Sequence, residues 1–245
     1  MGYAMVSGGK PDMAAPSAGI LASELAVGSV VKLMEGGVAT EYMVVNQGKP
    51  SGSSLYDDSC DGTWLLRKDI KENRAWHSSN VNDYENSTIH SYLNSTFLGL
   101  LDANVQSAIK QVKLPYRKGS GTGTTITSGV SGLSAKIFLL SGAEVNWSSS
   151  ISSFIPNDGA CLSYFSGCAT TDRKRIANLD GSATIWWLRS PFCSPTTGST
   201  RSLHVYSNGS WNTYDCSNSC SIRPALVLPS NALFETKTLI LKGVA

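Results

Sequence analysis

Six cysteines and three histidines are the side chains of this sequence best suited to metal or thiol chemistry. Two cysteine pairs lie close together, Cys161 with Cys168 and Cys216 with Cys220, and His204 is the only histidine near either pair. Neither spacing is the short paired spacing of a zinc knuckle. We therefore expect no metal site and no cofactor, and the pattern leaves open whether the cysteines form disulfides or remain thiols.

The sequence also lacks the groups that acid–base catalysis needs. No paired carboxylates accompany Cys216 and Cys220, and His204 is the only histidine in the second half of the chain. A reaction at these thiols would require a nearby base. We therefore predict that the protein is not an enzyme.

The segment best suited to binding runs from residue 190 to residue 221. Half of its 32 residues are Ser, Thr or Asn, and its only formal charges are Arg201 and Asp215. Such a segment buries too little apolar surface to fold alone, so we expect loops and a hairpin held at both ends by core strands. Rigid aromatic side chains among Ser and Asn are typical of binding surfaces. An ordinary polar hairpin is the alternative.

Two apolar runs must hold this polar segment at its ends. The first, Ile185 to Leu188, stops before Pro191, and the second, Ile222 with Ala225 to Leu228, stops at Pro229. Short apolar runs of this kind predict buried strands. The side chains predicted to be core in these strands are Trp186, Trp187, Leu188, Ile222, Ala225 and Leu226.

Two arginines, Arg189 and Arg223, lie inside these apolar runs. A buried guanidinium must be paired with a carboxylate or bonded to backbone carbonyls. We therefore expect both side chains to organise hydrogen bonds in the scaffold rather than to contact a ligand.

Alternation along residues 201–207 predicts a strand with Leu203 and Val205 toward the core and with His204 and Tyr206 facing outward. Asn208-Gly209 predicts a tight turn, after which residues 210–214 return as the partner strand. The ligand-binding residues predicted from this hairpin and its flanking loops are Phe192, Cys193, Ser194, Thr200, Arg201, His204, Tyr206, Ser207, Asn208, Trp211, Asn212, Tyr214, Asp215 and Asn218.

The upstream chain predicts helices as well as strands. Helical spacing over residues 87–101, with Ser87 as N-cap, predicts one helix, and residues 103–109 predict a shorter one. Residues 27–45 predict a hairpin around Glu35-Gly36-Gly37. Further strands are expected at residues 63–66, 112–115 and 136–141, with a loop at 118–133 and a solvated turn at 171–176. These elements predict an α+β fold with short antiparallel strands, one or two N-terminal helices and long loops.

The bulk properties predict one domain over residues 25–245, preceded by a flexible arm over residues 1–24. A net charge of +2 without a basic run makes nucleic acid a poor partner. No run of 18 apolar residues exists, so membrane insertion is not expected. The N-terminus does not resemble a signal peptide, which predicts synthesis in the cytoplasm.

The blocks WWLRSP (residues 186–191) and IRPAL (residues 222–226) resemble those of a domain family common in phages and prophages. The upstream blocks YDDSCDGTWLLRKDI, STIHSYLN, VKLPY and KIFLLS extend the resemblance over residues 25–229. Members of this family resemble C-type-lectin-fold proteins, and some resemble variable proteins of diversity-generating retroelements. The resemblance therefore implies a C-type-lectin-like fold and a variable ligand-binding region at about residues 190–221.

In such retroelements, miscopied template adenines turn Asn codons into codons for residues such as Ser, Thr, Tyr, Asp, His and Cys, but not for Lys, Glu, Gln or Trp. Residues 192–220 contain no Lys, Glu, Gln or Met. Trp211 cannot arise in this way, so we expect it to be an invariant position that is packed or lines the site.

The resemblance implies a diversified receptor-binding protein, an adhesin at a phage tail tip, located on the virion or released from the cell. The expected partner is a bacterial surface protein or glycan, with other phage tail proteins as further candidates. A calcium site is not expected, because Pro156-Asn157-Asp158 lacks a preceding acidic or amide residue and Trp211-Asn212 is followed by Thr213. The alternatives are a structural tail or baseplate component, or an oxidase resembling the formylglycine-generating enzymes that would use Cys216 and Cys220.

Overall fold

The protein has a β-rich fold. The structure, a computed structural model, describes residues 19–50, 54–147, 149 and 151–245. Within these residues seventeen strands form five sheets, whereas the longest helical run has 13 residues. The predicted α+β, C-type-lectin-like fold is therefore wrong. Both predicted helices form, but many strands have only three or four residues, which gives too short an alternation to be recognised in the sequence.

The strands are numbered in chain order. They are β1 (Gly19–Leu21), β2 (Val30–Glu35), β3 (Val38–Gln47), β4 (Thr63–Arg67), β5 (Glu72–Ala75), β6 (Val112–Leu114), β7 (Leu133–Ala135), β8 (Ile137–Phe138), β9 (Ala177–Leu179), β10 (Ser182–Thr184), β11 (Trp186–Pro191), β12 (Arg201–Val205), β13 (Trp211–Asp215), β14 (Ser219–Ile222), β15 (Ala225–Leu228), β16 (Ala232–Glu235) and β17 (Leu241–Val244).

The helical run comprises α1 (Thr88–Tyr92), a π-helical turn (Leu93–Phe97) and α2 (Leu98–Leu100). The predicted N-cap is present, because the Ser87 hydroxyl accepts a hydrogen bond from the His90 amide. The second predicted helix is α3 (Ala103–Ala108). Single 3₁₀ turns lie at Ala22–Glu24, Asp58–Cys60, Gly129–Ser131, Ser163–Phe165 and Arg173–Arg175.

Two five-stranded sheets contain the segments that the sequence analysis singled out. The sheet that we call the site sheet has the order β13-β12-β11-β14-β5, and the second sheet has the order β2-β3-β4-β15-β8. The chain passes from β14 in the first to β15 in the second through Arg223 and Pro224 alone. The two family-like blocks therefore form the centre of the site sheet and the crossing between the sheets.

The remaining strands form three smaller sheets, with the orders β1-β16-β17, β10-β9 and β6-β7. Of the predicted N-terminal arm, residues 1–18 lie outside the described residues. Residues 19–24 form β1, which pairs with β16, and a 3₁₀ turn whose Ala22 is buried. The boundary of the arm at residue 24 is therefore corrected, because these six residues are part of the packed structure.

Opposite faces of β11 pack into two different hydrophobic clusters. Trp186 lies in one cluster with Leu203 and Val205, whereas Trp187 lies in the other with Ile222. All of these side chains are fully buried. Because large aromatic side chains contribute most of the burial, the paired tryptophans anchor the site sheet on both faces.

A buried ion pair joins β11 to three loops. The Arg189 guanidinium donates two hydrogen bonds of 2.6 Å to the Glu144 carboxylate, and both side chains are 0% exposed. Arg189 also donates to the carbonyls of Leu139, Pro115 and Asp158. Glu144 accepts a further bond from the Tyr56 hydroxyl at 2.8 Å. Every charge in this network therefore has a partner, as a dry interior requires.

Replacing Glu144 by Gln should lower the free energy of unfolding by about 3 to 5 kcal/mol, because Arg189 would keep a buried charge without a counter-charge. Equilibrium urea denaturation measures this change. The control is Glu41→Gln, which breaks the pair with Lys68 in which both side chains are nearly half exposed. That loss should stay below about 1 kcal/mol. Equal losses in the two variants would contradict the role given to the buried pair.

Candidate functional site

The candidate site lies on the hairpin formed by β12 and β13 at the edge of the site sheet. The two strands pair over five residues, with Arg201 opposite Asp215, His204 opposite Asn212 and Val205 opposite Trp211. The turn contains the predicted Asn208-Gly209, and Gly209 has a φ of +83°. The predicted hairpin and its turn are confirmed, because a tight turn is a local signal.

One face of the hairpin forms a pocket, which we call the hairpin pocket. Its volume is about 360 Å³, close to the lower end of the range for small-molecule sites. Tyr206 and Tyr214 are 44% and 40% exposed there, although most large side chains of the sheet are buried. The residues that line it are Ile185, His204, Tyr206, Asn212, Thr213 and Tyr214.

His204 lies among aromatic rings. Its ring centroid is 6.2 Å from that of Tyr206, and 6.0 Å from those of Tyr214 and Trp187. The side chain was predicted to face outward, yet it is only 3% exposed, because these rings surround it. Its Nδ1 is buried without a hydrogen-bond partner. Burial lowers the pKa of His204 to about 4, so the imidazole is neutral at pH 7.

The opposite face of the hairpin carries other predicted site residues. Trp211 packs beside Phe192, with ring centroids 6.2 Å apart, and Phe192 contacts Phe154 edge to face. Arg201 forms an ion pair of 3.0 Å with Asp215 on this face. The prediction that Arg201 shares a face with His204 is therefore corrected. Strand alternation places Arg201 with Leu203 and Val205 instead.

The predicted ligand-binding residues of the flanking loops and turns do not lie in the hairpin pocket. Cys193 and Ser194 are buried, which corrects their assignment as ligand contacts, because the loop folds inward where the Cys193 amide bonds to the Phe154 carbonyl. Thr200 donates to the Thr197 carbonyl. The Asn208 side chain stabilises the hairpin turn by accepting a hydrogen bond from the Ser210 amide. Ser207 precedes Asn208 in the same turn. The Asn218 amide closes the turn after β13 by bonding to the Asp215 carbonyl. None of these residues lines the hairpin pocket.

The hairpin tip is clamped to the loop that precedes β9. A Cβ at Gly209 would collide with the Asp172 carbonyl, so only glycine permits this approach. The Asp172 amide donates to the Gly209 carbonyl at 3.3 Å, and the Arg175 guanidinium reaches the same carbonyl at 3.4 Å. The tip therefore has little freedom to move.

Arg175 was assigned by the sequence analysis to a solvated turn, and this prediction is wrong. Its side chain is fully buried, lies 4.4 Å from the Trp147 ring and donates to the Val145 carbonyl at 2.7 Å. Its neighbours in the sequence, Arg173 and Lys174, are exposed. A single buried arginine in a charged cluster leaves no pattern in the sequence, because its partners lie in distant loops.

The scaffold arginine Arg223 is also buried. It donates to the carbonyls of Arg67 and Lys68 at 2.8 Å and lies 5.0 Å from the Trp186 ring. No carboxylate among the described residues forms an ion pair with it, and burial lowers the pKa of Arg223 to about 10. Its hydrogen bonds hold the crossing between the two sheets.

The cysteines are poorly placed for chemistry. All six are free, and all except Cys161 are buried. Burial raises the pKa of Cys216 to about 12 and raises the pKa of Cys220 further still. A thiolate is the nucleophilic form of cysteine, so these shifts disfavour the oxidase alternative. Among the described residues, no group of three or more His, Cys, Asp and Glu side chains could hold a metal ion. No helix within the described ranges has the length and apolarity needed to cross a bilayer.

The lowered pKa of His204 predicts a loss of stability in acid. The unfolded histidine takes up a proton below pH 6.5, whereas the folded one stays neutral down to about pH 4. The free energy of unfolding should therefore fall by about 3 kcal/mol as the pH decreases from 6.5 to 4. Urea titrations at several pH values should show a smaller decrease for His204→Gln than for the wild type. Identical pH profiles for the wild type and His204→Gln would contradict the burial of a neutral ring.

Comparison with known proteins gives one family. No curated protein and no solved structure matches the chain. The profile of the family described as Domain of unknown function (DUF6273) matches residues 61–230, which include the whole site sheet, the helices and the hairpin pocket. Because this match covers more than half of the sequence, the chain belongs to the DUF6273 family.

Proposed function

We propose that this protein is a ligand-binding module whose hairpin pocket attaches a phage or prophage particle to a molecule on a bacterial surface. The observation that carries the proposal is the presence of two exposed tyrosines, Tyr206 and Tyr214, beside the buried neutral His204 on one concave face. Exposed aromatic rings in a pocket are the usual anchors of binding sites, because they bury a large area and have few rotatable bonds.

The backbone of the site supports the same function. The tip of the hairpin is held by Asp172 and Arg175, and its strand β12 pairs with the buried strand β11. A site that is held in place before the ligand arrives loses less conformational entropy on binding. Rigid strands that present polar and aromatic side chains to solvent are therefore suited to recognition.

The distribution of residue types around the pocket supports a diversified surface. The lining residues of the hairpin are His204, Tyr206, Asn212, Thr213 and Tyr214, all of them types that miscopying of an Asn codon can produce. Trp211, which cannot be produced in this way, packs on the other face of the hairpin. The phage context itself rests on the resemblance of the WWLRSP and IRPAL blocks.

Replacing both tyrosines by alanine, Tyr206→Ala with Tyr214→Ala, should weaken binding to bacterial cell-envelope fractions at least about tenfold, because each ring contributes on the order of 1 kcal/mol or more to such a site. Pull-down of envelope fractions from a panel of bacteria, with immobilised purified protein, measures retention.

The control for this experiment replaces exposed valines far from the pocket, Val38→Ala with Val130→Ala. This variant should bind as the wild type does. Thermal unfolding of each variant should show that the fold is kept, because the tyrosines are exposed. Equal retention by the tyrosine variant and the wild type, or no retention by the wild type from any strain, would refute the proposed function.

A further inference from the structure

The hairpin pocket carries no formal charge. Its lining residues are neutral by type except for His204, and burial keeps that ring uncharged at pH 7. The nearest charged side chains of the hairpin, Arg201 and Asp215, neutralise one another on the opposite face. An acidic or basic ligand would lose its hydration in this pocket without gaining a counter-charge. Charge complementarity therefore favours an uncharged ligand.

The pocket nevertheless combines apolar rings with polar groups. Tyr206 and Tyr214 expose ring surface, and Asn212 adds a side-chain amide beside them. The His204 imidazole also lines the pocket, although its Nδ1 is sealed from solvent. A purely apolar ligand would cover the rings and leave these polar groups unpaired, which is costly in a dry site. The ligand must therefore have an apolar face and a polar rim.

A peptide is a poorer fit than a small polar ring. Peptides commonly bind by adding a strand to an open sheet edge, and β13 is the last strand of the site sheet. However, the Thr213 amide of this strand is already bonded to the Asn212 side chain at 2.7 Å. This bond occupies a donor that an added strand would use. The pocket face, rather than the strand edge, is therefore the available surface.

We infer that the hairpin pocket binds an uncharged sugar unit of a bacterial surface polysaccharide, with a pyranose ring stacked on Tyr206 or Tyr214 and its hydroxyls bonded to Asn212 and His204. A pyranose has an apolar face of C–H groups and a rim of hydroxyls, which matches the lining. Each hydroxyl can donate or accept, so it can bond to either tautomer of a neutral imidazole. This inference rests on the proposed function and specifies the chemical class of its ligand.

The test uses an envelope fraction that retains the wild-type protein. One portion is digested with a protease, and another is oxidised with periodate, which cleaves the vicinal diols of sugars. Periodate should reduce retention at least about tenfold, and the protease should leave it unchanged. The polysaccharide released from the same cells is then separated by anion exchange. Its neutral fraction should compete for binding, and its acidic fraction should not.

Three variants connect the result to the pocket. Tyr214→Phe should keep most of the affinity for the neutral fraction, because the stacking ring remains, whereas Tyr214→Ala should weaken it about tenfold. His204→Phe keeps an aromatic ring and removes both ring nitrogens, so it should weaken competition by the neutral fraction several-fold without unfolding the protein, as thermal unfolding will show.

Loss of retention after protease alone, or competition by the acidic fraction alone, would overturn the inference about an uncharged sugar. Either result would leave the proposed function intact as long as the tyrosine variants still bind poorly. Wild-type affinity in Tyr214→Ala and in the double tyrosine variant would overturn both.

Discussion

The structure depends on one buried positive charge, the guanidinium of Arg189, which has no contact with water. Arg189 lies at the centre of β11, and its guanidinium must find acceptors for all of its N–H groups inside the protein. Glu144 supplies two of them, and carbonyls from residues far apart in the sequence supply the rest. The loops that contain these acceptors are therefore fixed around β11 rather than around one another. Long segments without regular structure acquire a defined position in this way, although they contribute few strands to either large sheet.

The hairpin is built on this fixed strand. Trp187 of β11 lies opposite His204 of β12, and its ring is one of the three that surround the imidazole. The same contact that buries a core tryptophan therefore also sets the protonation state of a site residue. Farther from β11, the two tyrosines have fewer neighbours and remain exposed. Burial thus decreases from β11 to the open edge of the site sheet. As a result, a neutral polar group lies within a few residues of accessible aromatic rings.

Local features could be predicted from the sequence, and features that depend on distant contacts could not. The turn at Asn208-Gly209, the N-cap at Ser87 and the hairpin of β2 and β3 each depend on residues close in the chain. The inward loop at Cys193 and the burial of Arg175 depend on partners such as Phe154 and Val145, which no local pattern indicates. Arg201 was assigned to the outward face because it is charged, although strand alternation places it on the same face as Leu203. The fold class was misjudged because long helices leave a stronger pattern than strands of three residues.

The buried thiols give the molecule a set of internal reporters. An alkylating reagent reacts only with an accessible thiolate, so each protected cysteine can be labelled only when the structure around it opens. Cys60 lies in the 3₁₀ turn before β4, Cys193 lies in the loop that leads into the hairpin, and Cys216 and Cys220 flank the turn between β13 and β14. Their separate labelling rates would distinguish fluctuations of the hairpin of β12 and β13 from cooperative opening of the whole domain.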